Sequence, residues 1–167
     1  RETGPTGHPA PSHRAPILDK DLNLEAVAKG PDGLSDLFHA IVEQAPDAII
    51  YADREGIIRI WNQGAEAIFG HAAADVVGGS LDVIVPERFR RAHWDGFNKA
   101  IETGTVKYAG RVLTTRSMHK DGRKLYVELS FGLVRDASGA IIGSLAIGRD
   151  CTERQLALAA GKTAGKT

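Results

Sequence analysis

The sequence predicts an α+β fold in which five antiparallel strands form one sheet and helices cover one of its faces. Helical and extended segments follow one another in the order helix, two strands, several short helices, three strands, helix. Within residues 125–133, large apolar side chains alternate with smaller or polar ones, which gives a strand one buried and one wetter face. Strands joined by hairpins on either side of a helical middle favour an antiparallel sheet with helices on one face.

The first half of the predicted fold begins with a helix. Residues 34–45 place apolar residues at helical spacing, and Pro46 ends the pattern. Strands over 47–53 and 56–62 then form a hairpin, and the string AEAIFG forms a short helix that Gly70 closes.

The second half begins with a long helix over residues 86–103, with Pro86 at its first position and Gly104 after its end. Hairpin turn signals at Asp121-Gly122 and at 136–139 separate three strands. These strands are predicted over 106–119, 123–135 and 140–150. A last helix over 152–160 has Thr152 as its predicted N-cap.

The two ends of the chain have a different composition from the middle. The first 16 residues carry four of the seven prolines and almost no large apolar residue, so residues 1–32 are predicted to be a disordered or added arm. Residues 33–155 are predicted to be the folded domain, and 156–167 the end of the last helix followed by a flexible tail.

Composition excludes several classes of protein. The 21 basic and 21 acidic side chains argue against a broad nucleic-acid or anionic-membrane surface. A single cysteine, Cys151, excludes a disulfide framework and a zinc site of paired cysteines. No apolar run reaches the length of about 20 residues that a membrane span needs, and no signal-peptide pattern is present, so a cytoplasmic location is expected. No catalytic motif is present either, so we expect a binding module rather than an enzyme.

Two long strings resemble a PAS domain. AIVEQAPDAIIYADREGIIRIWNQGAEAIFGHAAADVVG resembles its first half, and HKDGRKLYVELSFGLVRDASGAIIGSLAIGRDCTER its second half. The closing Asp-x-Thr-Glu-Arg string reads Asp150-Cys151-Thr152-Glu153-Arg154, with Cys151 in place of the usual aliphatic residue. The resemblance covers about 36 to 154 and implies the PAS fold and a sensor or interaction role; the ligand has to be argued from the site.

His93 is the candidate ligand-binding residue of the long helix. It lies in one row with Phe89, Phe97 and Ile101, which recur at multiples of four, so it is expected to point at the sheet. A neutral imidazole at an apolar cavity is a good ligand for iron. The other five histidines are predicted to lie in the disordered arm (His8 and His13) or in exposed positions (His39, His71 and His119).

The string RFRRAHWDGF also resembles the helix that holds heme in the rhizobial oxygen-sensing histidine kinases. That resemblance implies heme b with His93 as the iron ligand and a diatomic gas (O2, CO or NO) or redox state as the signal. It also implies a distal Arg on the next strand. Arg111 has the matching local string, but Leu113 takes that place when counted from the Asp-Gly turn. The full predicted pocket is His93, Phe89, Phe97, Arg111, Leu113, Leu129, Phe131, Leu145 and Ile147.

Other interpretations stay open at this point. His93 can be a core histidine of a heme-free dimerisation and relay module. The cavity can bind a small organic metabolite whose carboxylate Arg111 grips. Non-covalent flavin held by Trp61 or Asn62 is a further alternative, whereas the absence of cysteine from residues 1–150 excludes a flavin-cysteine adduct. Met118 is a weak candidate for a sixth iron ligand, and Cys151 is interpreted as a small buried hydrophobe.

The predicted mechanism is that of a sensor. A change at the heme shifts the strands, and the shift passes to the helices at both ends of the domain. The PAS resemblance implies a homodimer through the first helix, whose apolar stripe comprises Leu34, Leu37, Phe38 and Ile41. It also implies an output domain outside this sequence.

Overall fold

The structure, a computed structural model, describes residues 33–164. The predicted arm over 1–32 and the last three residues of the predicted tail lie outside the described residues. Residues 38–164 belong to one compact unit, which contains the whole sheet. The elements are α1 (Gly33–Gln44), β1 (Ala48–Asp53), β2 (Ile58–Trp61), α2 (Gln63–Phe69), α3 (Ala73–Val76), a 3-10 turn (Leu81–Val83), α4 (Glu87–Thr103), β3 (Val112–Met118), β4 (Lys124–Arg135), β5 (Ile141–Asp150) and α5 (Thr152–Ala164).

The five strands form one antiparallel sheet in the order β2-β1-β5-β4-β3. The pairing of β1 with β5, from Ala48 opposite Gly148 to Asp53 opposite Gly143, joins the two halves of the chain at the centre of the sheet. The core lies between one sheet face and the helices. Its sheet side includes Ile50, Val127 and Leu129, and its helix side includes Phe69 and Phe97. The predicted α+β class, with helices against one face of a five-stranded antiparallel sheet, is confirmed.

Asn62 is fully buried and connects three parts of the first half. Its Oδ1 accepts hydrogen bonds from the backbone N–H groups of Ile49 (2.8 Å) and Ala65 (3.0 Å), so it caps α2 and reaches β1. Its Nδ2 donates to the carbonyl oxygens of Val42, Ala45 and Asp47, at 2.9, 3.2 and 3.0 Å. The Asn62 side chain therefore fixes where α1 ends and where β1 begins.

Two predicted boundaries in the middle of the chain were wrong. The third strand begins at Val112 rather than at 106, because residues 107–110 form a turn that the Arg111 N–H closes on the Tyr108 carbonyl at 3.0 Å. Gly110 has a φ of 71° there, which favours glycine over an extended strand residue. The long helix begins at Glu87, and Pro86 is its extended N-cap.

The start of α5 also differs from the prediction. Asp150 Oδ1 accepts the hydrogen bond from the Thr152 N–H at 2.8 Å, so Asp150 takes the capping role predicted for Thr152. The Thr152 hydroxyl instead accepts from the Tyr126 N–H at 2.9 Å and ties the helix to β4. The helix continues to Ala164, beyond the predicted end at 160. Within residues 33–164, no helix is long and apolar enough to cross a membrane.

Candidate ligand-binding cavity

A cavity of about 690 Å³ lies between α4 and the sheet. This volume falls within the range of about 300–1,000 Å³ that is usual for small-molecule and cofactor sites. The wall is mostly apolar. The sheet contributes Ile50, Ala52, Leu113, Leu129, Phe131, Leu133 and Ala146; the helical side contributes Leu81, Ile84, Phe89, Ala92, His93, Gly96, Phe97 and Ala100.

His93 lies on this wall, as its place in the apolar row of α4 predicts. Its ring centroid is 6.3 Å from that of Phe97 and 5.0 Å from that of Trp94, whose ring it meets edge-on. Phe97 is buried one turn further along the helix, and Phe89 lines the cavity one turn before. The helical period therefore carries His93 to the sheet side of α4.

Burial disfavours the charged form of the His93 imidazole. Burial lowers the pKa of His93 below its ordinary value of 6.5, while the nearby Asp82 carboxylate acts weakly in the opposite direction. Its Nδ1 is buried and has no hydrogen-bond partner among the described residues. A neutral imidazole retains the lone pair that a metal ligand needs.

The cavity and His93 together fit heme. Among residues 33–164, no group of three or more His, Cys, Asp and Glu side chains is placed to hold a metal ion. Heme iron is already held by the porphyrin and takes only its axial ligands from the protein, so one histidine on an apolar wall is a sufficient donor set.

Trp94 and Asp82 form a contact that the sequence analysis missed. The Trp94 indole N–H donates to Asp82 Oδ1 at 2.8 Å, and the Trp94 ring lies over the backbone of Gly56 in the β1–β2 turn. Arg90 adds hydrogen bonds to the carbonyl oxygens of Val85 and Asp82, at 3.3 and 3.2 Å. These contacts fix the part of α4 that carries His93 against the 3-10 turn and the first hairpin. A tryptophan next to the histidine was visible in the sequence, but nothing there indicated its partner.

Most of the predicted pocket residues line the cavity, and three do not. Phe89, His93, Phe97, Leu113, Leu129 and Phe131 lie on its wall. Arg111 is exposed in the turn before β3 and does not line it, so the structure does not bring this arginine, the predicted distal and carboxylate-gripping residue, to the cavity.

Leu145 and Ile147, also predicted for the pocket, do not line the cavity. Ala146 and Ser144, which lie opposite Phe131 and Leu133, face the cavity, and the alternation of the strand turns Leu145 and Ile147 to the other side of the sheet. Ile147 is 39% exposed there. Gly148 lies on the same face of β5 as Ser144 and Ala146, and Leu129 lies where a side chain on Gly148 would lie.

The structure also corrects several alternatives. Neither Trp61 nor Asn62 lines the cavity, and their polar atoms are already bonded: the Trp61 indole N–H donates to the His71 carbonyl at 3.0 Å. Met118 is not on the wall either. His71 is half-buried, and the side chain of His119 is only 16% exposed because it covers Gly70. Cys151 is buried, as predicted, and its thiol donates to the Tyr126 carbonyl.

Known proteins share both the sequence pattern and the fold. The chain is 29% identical over 142 residues to the sensor protein FixL of Bradyrhizobium diazoefficiens, covering 83% of this chain and 26% of that protein. It is 23% identical over 131 residues to the oxygen sensor protein DosP of Escherichia coli, covering 78% of this chain and 16% of that protein. It thus spans about a quarter or less of the length of these relatives.

A solved structure and a family profile both identify the fold of this chain. The PAS domain of a Colwellia psychrerythraea protein superposes with a TM-score of 0.62 at 22% identity, over 72% of this chain and 98% of that one. The profile described as the PAS fold matches residues 36–151, which include all five strands and α2 to α4. This chain therefore belongs to the PAS family and is related to sensor proteins.

Proposed function

We propose that this PAS domain binds heme b through His93 and senses a diatomic gas or the redox state. The observation that carries the proposal is the position of the His93 imidazole on the wall of a mostly apolar cavity of about 690 Å³, with a buried Nδ1 that has no partner among the described residues. The relation to an oxygen sensor protein and to a sensor protein supports it. So does the resemblance of RFRRAHWDGF to the heme-holding helix of rhizobial oxygen-sensing kinases.

The chain supplies the environment in which the iron works. Heme, when bound, supplies an iron centre that takes up a gas or an electron. His93 would hold the iron through a ring nitrogen, and Leu113, Leu129 and Phe131 would line an apolar part of the wall around the group. Leu113 lies on β3, and Leu129 and Phe131 lie on β4, so both strands would contact the bound group.

Strand β4 offers a route from the cavity to the end of the domain. Leu129 and Phe131 line the cavity, and Tyr126 of the same strand accepts the hydrogen bond from the Cys151 N–H at 2.8 Å and donates to Thr152. A displacement of β4 that differs between two states of the site would move the first turn of α5.

The relation to sensor proteins also suggests a dimer partner and an output domain for this domain. We infer a homodimer through α1, where Phe38 and Ile41 are 58% and 57% exposed. An output domain elsewhere in the protein would carry any enzymatic activity, and this domain would act as a cytoplasmic binding module.

The test is a hemin titration of the purified domain followed by its visible spectrum. We expect a Soret band in the wild type, loss of that band in His93→Ala, and retention in His39→Ala, which removes an exposed histidine outside the cavity. Circular dichroism of each variant separates loss of binding from loss of folding. A wild-type protein that leaves added hemin unbound, or a His93→Ala variant with an unchanged band, would contradict the proposal and favour a heme-free relay module.

A further inference from the structure

Four side chains of alternating charge form a row on the sheet face that is turned away from the cavity. In order along the row they are Asp47, Arg149, Glu128 and Arg154. Arg149 on β5 and Glu128 on β4 lie directly opposite each other. Asp47 directly precedes β1, the other neighbour of β5, and Arg154 reaches the row from α5. The row therefore crosses from the start of β1 to the first turn of α5.

The contacts within the row are well formed. Arg149 donates two parallel hydrogen bonds to Asp47, from Nε to Oδ1 and from Nη2 to Oδ2, both at 2.8 Å. Arg154 donates to Glu128 in the same way through its Nη2. The hydrogen bond to Asp47 and, more weakly, the charge of Glu128 raise the pKa of Arg149, so this guanidinium interacts with both carboxylates. Isolated surface ion pairs contribute little to stability, whereas a two-bond arginine–carboxylate contact within a larger network can contribute.

One end of the row is tied to the end of α1. The Asn62 side-chain amide donates both to the Asp47 carbonyl at 3.0 Å and to the Val42 carbonyl in the last turn of α1 at 2.9 Å. The position of Asp47 therefore depends on the position of this helix end.

The other end of the row lies at the attachment of α5. Within residues 153–161 no residue is buried, so most of this helix projects away from the domain. Its start is bound to β4 by the contacts of Cys151 and Thr152 with Tyr126 and by the ion pair of Arg154 with Glu128. The row thus ends at one of the few attachments of α5 to the sheet.

We propose that this row of four charges couples the end of α1 to the start of α5, so that loosening one helix end loosens the other. The coupling goes beyond the proposed function, because it requires no particular ligand. Glu128 is adjacent on β4 to Leu129, which lines the cavity. An occupant of the cavity that displaces β4 would therefore act on both helices through the same row.

The experiment measures backbone amide exchange in the hemin-free domain, at residues 42–48 and at residues 152–156. We expect Arg149→Gln to raise exchange in both regions by roughly two- to five-fold, because it opens the centre of the row. Arg154→Gln should raise exchange at 42–48 as well as in its own helix. Arg59→Gln is the matched control, since it removes another exposed arginine that is paired with Asp53 outside the row. It should change neither region.

A charge exchange within the row gives a second test. Arg149→Glu combined with Glu128→Arg keeps an opposite-charge pair between β5 and β4, but it places an acidic group beside Asp47 and a basic group beside Arg154. We expect exchange in both regions to rise at least as much as in Arg149→Gln.

The proposal is overturned if Arg149→Gln changes only one of the two regions, or if the charge-exchanged variant behaves like the wild type. An equal rise at Ile101, which is buried in α4, would indicate general destabilisation and would overturn it too. Since no hemin is present, these results are independent of the test of the proposed function.

Discussion

The indole N–H of Trp94 donates a 2.8 Å hydrogen bond to the Asp82 carboxylate while the ring of the same residue lies against Gly56. One side chain thus joins the long helix to the 3-10 turn and to the first hairpin. Because Trp94 is adjacent to His93 in sequence and its ring meets the imidazole edge-on at 5.0 Å, this contact also limits the orientation of the histidine.

Because the Trp94 ring lies against Gly56, we expect alanine to lower the free energy of unfolding more at Gly56 than at Gly122. Gly56 and Gly122 both have positive φ, of 76° and 87°, but only at Gly56 does an added Cβ overlap the Trp94 ring. We expect Gly122→Ala to lower the free energy of unfolding by about 1 kcal/mol and Gly56→Ala by about 2–4 kcal/mol, measured by urea denaturation. In a Trp94→Ala background the two costs should become equal; a difference that persists there would show that the overlap is not its cause.

The buried hydrogen bonds of Asn62 predict a large loss of stability in Asn62→Ala. The substitution leaves two backbone N–H groups and three carbonyl oxygens without the partner they have now. We expect the free energy of unfolding to fall by about 3 kcal/mol or more, against less than about 0.5 kcal/mol for Gln63→Ala at the exposed neighbouring position. Asn62→Asp should be similarly damaging, because a carboxylate cannot donate to the three carbonyl oxygens. A mild effect of either Asn62 variant would contradict the structural role assigned here.

Burial of His93 predicts a decrease in stability at mildly acidic pH. Its pKa is lowered in the folded protein, so the unfolded chain binds the proton more readily and the free energy of unfolding rises with pH. Stability of the hemin-free protein should therefore fall as the pH drops below about 6.5, the ordinary value for histidine. His93→Gln should flatten this dependence, whereas His39→Gln should leave it unchanged. Equal slopes in the two variants would assign the dependence to another group, such as His71, whose pKa burial also lowers.

The hydrogen bond of the Thr152 hydroxyl predicts that the free energy of unfolding depends on whether residue 152 carries a hydroxyl. Thr152→Val removes the acceptor of the Tyr126 N–H while keeping the shape of the side chain, and we expect a loss of about 1–2 kcal/mol. Thr152→Ser keeps the hydroxyl and should restore most of it. If thermal denaturation shows the valine and serine variants to be equally stable, the hydrogen bond to β4 contributes nothing measurable.

Sequence patterns predicted the fold where local chemistry and tertiary packing agree. The alternation in 125–133 and the Asp-Gly turn identified β4 and its hairpin, and the period of α4 placed His93 on the cavity wall. The prediction failed at 106–111, where the alternating apolar residues look like a strand. The backbone turns there instead, and Gly110 supplies the positive φ that this turn uses.

The pocket was predicted less completely, because hydrophobicity alone selects the wrong face of β5. Leu145 and Ile147 are larger and more apolar than Ser144 and Ala146, yet the smaller pair faces the cavity. Which face is inward depends on the register with β4, which no local pattern reveals. The contributions of Ile50 and Ala52 were missed for the same reason: they follow from the pairing of β1 with β5 at the centre of the sheet.

The hydrogen bonds of Asn62 also have a consequence for local unfolding. Because Asn62 Oδ1 accepts from the N–H groups of both Ile49 and Ala65, a movement of this side chain would free both groups at once. These two amide hydrogens should therefore exchange with solvent as one cooperative unit, although they lie in different elements of secondary structure. The end of α1, held through the Val42 carbonyl, would open with them.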